Sequence, residues 1–274
     1  MSGTLAPRPF NEERRAEAVV RTGLIDHPKP ELFQVYCDLA KDISGFDSAT
    51  FSLFDAESQC SIAATGRDDY TAGSKSERTV NNICSYVLLS PEPLLMPDLA
   101  KDPVWKTHPS ILDGTAIYRG YAGFPVINRD NYALGTLCML HKSPKAITDE
   151  VILLIQKITK NIAFLLDIQT DQKRLTSEKM LEALTAFQTR LPEMTLADFR
   201  LFLSVCAGLP ADIEQVSALA DAQLVEVAGS QIELSAAGRS LQDDMKIQPK
   251  PLNRIKLSGT DASEVLDTML SELN

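Results

Sequence analysis

Histidine, tryptophan and positive charge are scarce in this 274-residue chain, and no apolar run is long. The three histidines, His27, His108 and His141, stand far apart in sequence, so no zinc-ligand spacing can be drawn. The five cysteines, Cys37, Cys60, Cys84, Cys138 and Cys206, are odd in number, scattered and never in a CxxC pair. That fits a reducing cytosol better than a disulfide framework. The longest apolar runs, such as Val151 to Ile155, reach about a quarter of the roughly 20 residues that a membrane span requires. Met1 to Phe10 holds Arg8 and two prolines but no apolar segment, so no secretory leader is expected and the expected location is cytoplasmic. Lys plus Arg number 27 against 37 Asp plus Glu, a net charge of −10, which repels phosphate backbones and anionic lipid heads. Nucleic-acid and membrane binding are therefore not expected. No phosphate-binding glycine loop, local Ser-His-Asp set or paired-carboxylate motif occurs, so no catalytic residue, metal site or cofactor is assigned.

What is present is an ordinary globular composition, 44% apolar and 23% charged, in a chain long enough for two modest domains. Asn11 to Thr22 has the spacing of a short helix, read as an N-terminal arm over 1–22, and the DHPKP stretch from Asp26 to Pro30 ends it. From Pro30 the apolar residues Leu32, Phe33, Val35, Tyr36, Leu39, Ala40 and Ile43 recur at three and four, with Gly45 at the C-terminal cap position. Ala49–Phe54 and Ser61–Thr65 are predicted strands, and Gly66 to Arg78 a long surface loop. Asn82 to Leu89 has helical spacing, Leu94 to Met96 is a short strand, and Tyr121–Ile127 and Ala133–His141 form a predicted hairpin around the turn Asn128 to Asn131. The pattern yields five strands.

Over 148–191 a long helix is predicted. Val151, Ile155, Ile158, Ile162 and Leu165 make a seam in steps of four and three. A polar gap from Gln169 to Arg174 interrupts it, and it resumes at Met180, Leu184, Phe187 and Leu191 until Pro192. The first half can be buried on the chain's own sheet. The second half has no obvious sheet, and pairing with the same helix of a second subunit would cover it, which predicts a homodimer.

The segments NNICSYVLLSPEPLLMPDLAKDPVWKTHPSI (Asn81 to Ile111) and YRGYAGFPVINRDNYALGTLCMLHKSPKAIT (Tyr118 to Thr148) together resemble the GAF sensory-domain family. The likeness lies in an ordered set: Cys84 in a helix, the PL-x-x-PD element ending at Asp98, the KDP at Lys101 to Pro103, YAGFPV, and the glycine-led GTLC at Gly135 to Cys138. It extends over about 24–168, within a domain drawn at 23–168. The resemblance implies an antiparallel sheet of about six strands, helices behind it, and a cavity between the front face and the crossing loops. In that family the cavity holds a cyclic nucleotide, a tetrapyrrole, another small effector or nothing, so the fold alone names no ligand.

Cys84, Asp98, Trp105, Tyr121 and Cys138 are the candidate ligand-binding residues. Asp98 and Asp102 suit backbone capping better than ligand contact. Trp105, the only tryptophan, could line a pocket or plug the sheet. Cys84 and Cys138 lack cationic sequence neighbours, which favours inert buried thiols. Cys84 is followed by Ser85 and no Cys-His pair exists, against the tetrapyrrole attachment of some relatives. One family branch reduces free methionine sulfoxide with several cysteines, but Leu112 to Gly123 contains none, against a reductase.

In the C-terminal region, Thr195 to Cys206 is a predicted amphipathic helix, a second starts at Asp212, and Leu224 to Leu234 reads as a hairpin turning at Gly229 and Ser230. Helix, helix, hairpin, followed by a Ser-x-x-Gly-Arg helix start at Ser235, resembles a winged helix over 195–246. From Asp171 onward the chain has 10 basic and 16 acidic side chains, net −6, the wrong sign for DNA. Over 247–274 a proline-containing linker, Gln248 to Leu257, leads to a short acidic amphipathic helix, Asp261 to Leu273. The expected class is α+β: a GAF-like antiparallel sheet with flanking helices, a long connecting helix and a small winged-helix-like module. The expected role is a cytosolic, dimeric, non-catalytic sensor or adaptor coupling an unknown small effector to a downstream protein partner. A DNA-binding regulator and a thiol-dependent reductase are the alternatives.

Overall fold

The computed structural model describes residues 4–228 and 231–247. It divides into two compact units, Met1–Leu175 and Thr176–Asn274.

The first unit is built on a six-stranded sheet in the order β3-β2-β1-β6-β5-β4 with every neighbouring pair antiparallel. Its strands are β1 (Ser48–Phe54), β2 (Ser58–Thr65), β3 (Lys75–Glu77), β4 (Leu94–Met96), β5 (Gly120–Ile127) and β6 (Ala133–His141). Alternation along the strands gives the sheet two different faces. Ala49, Phe51 and Leu53 of β1, Ala122, Phe124 and Val126 of β5, and Leu137 and Met139 of β6 share the larger core. That core is closed by α1 (Glu12–Thr22), α2 (Pro30–Ser44) and the first part of α5 (Asp149–Arg190), through Val19, Phe33, Cys37, Ile155, Ile158 and Ile162. Burying Phe33 alone is worth about 2 kcal/mol. Pro30 opens α2 without losing a helical donor, and Gly45 closes it at φ 62°, as its cap position requires.

The other face is small and polar at its centre and apolar toward β4, through Tyr121, Leu140 and Met96. Thr50 and Ser52 of β1 stand opposite Cys138 and Thr136 of β6, and Cys138 stands opposite Gly123 of β5. This face is covered by α3 (Ile83–Val87), a 3-10 turn (Trp105–Thr107) and α4 (Pro109–Leu112). Two glycines are required by close approach. A Cβ at Gly135 would strike the Ser52 carbonyl oxygen, and one at Gly123 would strike the Tyr121 hydroxyl and, at 2.6 Å, Val87 Cγ2.

Several expectations are corrected here. The span read as a loop from Gly66 to Arg78 contains β3, whose three residues are all exposed and include Lys75 and Glu77. A charged edge strand resists further pairing and carries no apolar alternation to read. β2 starts at Ser58, three residues before the apolar pattern, because Gln59 pairs with both Phe54 and Ser76. The segment drawn as a separate arm is part of the sheet unit: α1 buries Val19 in the main core, and Leu5 bridges to Thr79. Arg15 fastens α1 to the sheet. Its guanidinium donates to the carbonyls of Phe54 at 2.7 Å and Asp55 at 3.1 Å, and pairs with Glu12 at 2.8 Å.

The second unit comprises the later part of α5, then α6 (Leu196–Cys206), α7 (Ser217–Asp221), the hairpin β7 (Val225–Ala228) and β8 (Gln231–Leu234), and α8 (Ala236–Asp244). α6 begins with a reciprocal capping box between Thr195 and Asp198. At the head of α8, Ser235 accepts from the Gly238 N–H, and Gly238 lets the helix lie against the Leu224 carbonyl, where a Cβ would collide. The helix expected from Asp212 begins at Ser217, since the Asp212 carboxylate accepts the Glu214 N–H and holds a turn there. The polar stretch Gln169 to Arg174 does not end α5. Except at Met180, which stays 44% exposed, the second half of its seam is also corrected: Phe187 and Ala183 are fully buried within this unit's own core, against Phe199 and Phe202, with Leu184 and Leu191 packed beside them. No second subunit is needed to cover them. The hairpin turn at Gly229 and Ser230, and the linker and helix expected beyond Ile247, lie outside the described residues.

Candidate functional site

On this second face of the sheet, α3 and the stretch from Leu99 to Tyr118 line a half-open cavity of about 220 Å³. Its walls are aliphatic at Ile83, Leu99, Ile111, Ile117 and Leu140, aromatic at Trp105 and Tyr118, and polar at Asn81, His108 and Ser110. Among the described residues, no Asp, Glu, Lys or Arg lines it.

Local hydrogen bonds set this geometry. The Asp102 carboxylate accepts the N–H groups of Val104 at 2.9 Å and Trp105 at 3.0 Å, which fixes the turn carrying the indole. The Trp105 ring is 8% exposed and meets Tyr86 edge-on at 5.3 Å. His108 caps α4 through Nδ1, which accepts the Ser110 N–H and lies 2.7 Å from the Ser110 hydroxyl.

Of the residues singled out in sequence, Trp105 lines the cavity. Tyr121 and Cys138 are buried in the cluster that includes Trp105, and Cys84 packs against it. Asp98 stands apart. Its carboxylate accepts from Arg119 Nη2 at 2.7 Å and Nε at 3.0 Å and from the Ala100 N–H at 3.2 Å, and it borders a separate groove of about 460 Å³. The Arg119 guanidinium holds this carboxyl below its ordinary range. Capping, not the cavity, is what the structure gives both Asp98 and Asp102. Tyr118 and His108 were missed as site residues. The only signal for them was position, since both fall in the segments that carry the family likeness.

The picture of two separate inert thiols is revised. Cys84 Sγ and Cys138 Sγ lie 3.1 Å apart, and the Tyr121 hydroxyl is 3.3 Å from the first and 3.1 Å from the second. Cys138 also meets Thr136 Oγ1 at 3.2 Å. Cys138 is buried, whereas Cys84 is partly exposed. A hydrogen bond with the Cys138 thiol, then one from Tyr121 and the charge of Arg67, outweigh burial and hold the Cys84 thiol below its ordinary pKa. Burial pushes Cys138 and Tyr121 well up, and the neighbouring thiol adds to both shifts. The arrangement sets the Tyr121 hydroxyl as a donor to Cys84 and the Cys138 thiol beside it, which favours the anionic form of Cys84 over that of Cys138. Among the described residues no group of three His, Cys, Asp or Glu is placed to hold a metal ion.

A family model described as the GAF domain matches residues 26–167. This chain belongs to the GAF domain family. It is also 25% identical over 139 residues to the cyclic di-GMP phosphodiesterase PA2567 of Pseudomonas aeruginosa, covering 51% of this chain and 23% of that protein. The chain thus spans under a quarter of that relative's length. Among solved structures, the GAF domain of Acinetobacter phosphoenolpyruvate-protein phosphotransferase is 15% identical, with TM-score 0.44, over 58% of this chain and 95% of that one. The blue-light absorbing form of the Thermosynechococcus elongatus PixJ GAF domain is 11% identical, with TM-score 0.44, over 63% and 96%. The GAF domain's six-stranded antiparallel sheet with flanking helices is as expected, one strand more than the sequence pattern showed. No helix of the described residues is long and apolar enough to cross a membrane.

Proposed function

We propose that this chain is a sensor whose GAF cavity takes a small, neutral, largely apolar ligand and whose C-terminal unit delivers the output to another protein. The cavity lining carries the proposal. At about 220 Å³ it is smaller than the roughly 300–1,000 Å³ of pockets for drug-sized ligands. An ionised guest would lose its hydration with no opposite charge in the lining to replace it. The hydrogen-bonding edge made by Asn81, His108, Ser110 and Tyr118 suits one hydroxyl, carbonyl or amide on an otherwise apolar body.

The acidic second unit supports a protein partner over nucleic acid. Glu226 and Glu233 sit directly opposite each other across the β7–β8 hairpin, which places like charges where a winged helix would approach phosphate. We also propose a homodimer, through a different surface from the α5 seam. Apolar side chains remain exposed on the outer sides of α2 and α5: Val35 at 53%, Leu39 at 44%, Leu153 at 59% and Phe164 at 66%. These helices lie over the same core, and a second copy would remove their outer apolar atoms from water.

Trp105, the chain's only tryptophan, is a built-in reporter of the cavity. Titration with benzyl alcohol or cyclohexanol is expected to shift its emission saturably, while benzoate, the charged counterpart, leaves it unchanged. An equal response to benzoate, or no saturable response to either neutral probe, would overturn the proposed ligand class. Mass spectrometry of small molecules released from protein purified without added ligand then identifies the guest.

A further inference from the structure

We propose that Cys84 and Cys138 form a peroxide-responsive dithiol, in which a hydroperoxide converts the pair into an intrachain disulfide. This goes beyond ligand sensing and does not require the cavity to be occupied.

Three observations carry it. First, the two sulfurs come from α3 and β6, 54 residues apart, and lie at 3.1 Å with nothing between them. A disulfide needs about 2.05 Å, so the sulfurs must close by about 1 Å. α3 is a single turn of five residues outside the sheet ladder, whereas Cys138 is held by β6 pairing on both sides, so the closing shift falls to α3. Second, access is asymmetric. Cys84 is the one cysteine of the five whose residue keeps some solvent exposure, which assigns it the first reaction with an oxidant and leaves Cys138 as the resolving thiol. Third, the Tyr121 hydroxyl reaches both sulfurs and can donate to whichever one carries the negative charge.

The remaining cysteines show the contrast. Burial pushes Cys37 up to about 12 and Cys206 up to about 11, and raises Cys60 as well. Cys37 and Cys60 point at the carbonyls of Ala63 and Ile25, which stabilise a thiol and disfavour a thiolate. Only Cys84 is shifted downward.

The chemistry balances with the hydroperoxide as the sole added reactant. The Cys84 thiolate attacks one peroxide oxygen. An S–O bond forms, the O–O bond breaks, and the leaving oxygen departs as water or an alcohol after taking a proton. The Cys138 sulfur then attacks the sulfenic sulfur of Cys84 and gives up its proton, and the hydroxyl leaves as water. Two thiol hydrogens and one hydroperoxide become one disulfide, one water and one further water or alcohol. Each sulfur is oxidised by one electron and the two peroxide oxygens are reduced. One equivalent is consumed per chain, and an external thiol resets the pair.

The cavity wall would register the change. Ile83, next to Cys84, and Leu140, two residues beyond Cys138 on the same face of β6, both line the cavity. Drawing α3 toward β6 moves one wall against the other.

The test uses the full chain, reduced and then exposed to hydrogen peroxide, with intact-mass measurement and peptide mapping. The expected product has lost two hydrogens, carries a single link between the Cys84 and Cys138 peptides, and reverts with dithiothreitol. Cys138→Ser is expected to stop at a sulfenic acid on Cys84 that dimedone traps, and Cys84→Ser to form no link. Tyr121→Phe keeps the ring and removes the donor, and is expected to give the same link about tenfold more slowly. Oxidation of Cys37, Cys60 or Cys206 ahead of Cys84 would overturn the proposal. So would a wild-type product in which Cys84 is oxidised without a bond to Cys138. Mapping of the wild-type chain decides the outcome even if a serine variant fails to fold.

Discussion

Glu12 offers the sharpest test of how the GAF unit is held together. Its carboxylate pairs with two guanidinium groups whose side chains are fully buried, Arg15 at 2.8 Å and Arg78 at 2.5 Å, while its own side chain is 19% exposed. Burial pulls Arg78 down to about 10 even with Glu12 beside it, so this cation depends on its partner. Glu12→Gln keeps the shape and removes the charge, leaving two buried cations against carbonyl dipoles alone. Breaking a buried pair in this way costs about 3–5 kcal/mol. The carbonyls of Phe54 and Asp55 still accept from Arg15, Asp55 also accepts from Arg78, and water reaches the partly exposed carboxylate. The lower end, about 3 kcal/mol, is therefore expected. For a unit of this size that lowers Tm by roughly 6–12 °C. Burial pushes the Glu12 pKa upward, but the bonds and charges of Arg15 and Arg78 outweigh it and leave the folded value below the ordinary 4.5. The stabilisation is thus complete above the unfolded value and is lost as pH falls through the folded one. Urea unfolding of wild type and Glu12→Gln at neutral pH and at about pH 3 reads both effects. A difference under about 1 kcal/mol at neutral pH would refute the coupling. A difference as large in acid as at neutrality would show that shape, not charge, is responsible.

Three further outcomes follow from particular contacts. Gly135→Ala drives a Cβ into the Ser52 carbonyl oxygen and separates the two central strands β1 and β6, so a loss of about 2–4 kcal/mol is expected in denaturant unfolding. Phe187→Ala empties the centre of the second unit's core, with an expected loss of about 3–5 kcal/mol that calorimetry should place in that unit while Trp105 emission continues to report an intact GAF unit. Phe164→Glu puts a charge on the exposed apolar side of α5. Sedimentation is expected to show a dimer weakened at least tenfold, and an unchanged sedimentation profile would remove this face as the interface.

The parts of the fold legible in sequence are those where one local signal suffices. Phe51 and Leu53 alternate with Thr50 and Ser52 because one face of β1 packs on helices and the other stands beside Cys138 and Thr136 on the opposite side of the sheet. Gly45 ends α2 because only a residue tolerant of φ 62° does so cheaply. What stayed hidden depends on partners distant in sequence. Arg15 reads as one more charge on a polar helix face, yet its acceptors lie 39 and 40 residues away. Phe187 reads as part of a pairing seam, and only the fold of α6 shows that Phe199 and Phe202 cover it.

The site was half legible for the same reason. Trp105, Tyr121, Cys84 and Cys138 each stood out in sequence, but their meeting depends on strand register. Cys138 faces α3 because β6 pairs with Thr50 on one side and Gly123 on the other. A slip of one residue would bring Leu137 or Met139 to that place and turn Cys138 into the helical core. The register is held by that core, since Leu137 and Met139 fill it in the same alternation that presents Cys138 and Leu140 to the opposite side. Gly123 completes the arrangement: its missing side chain is the space that the Tyr121 hydroxyl and Val87 occupy, so the dithiol, its tyrosine donor and the α3 wall of the cavity converge on one position. Gly123→Ala would displace the Tyr121 hydroxyl and push α3 off the sheet together, so it should disturb thiol oxidation and the Trp105 response at once. Tyr121→Phe, by contrast, should alter the first and spare the second.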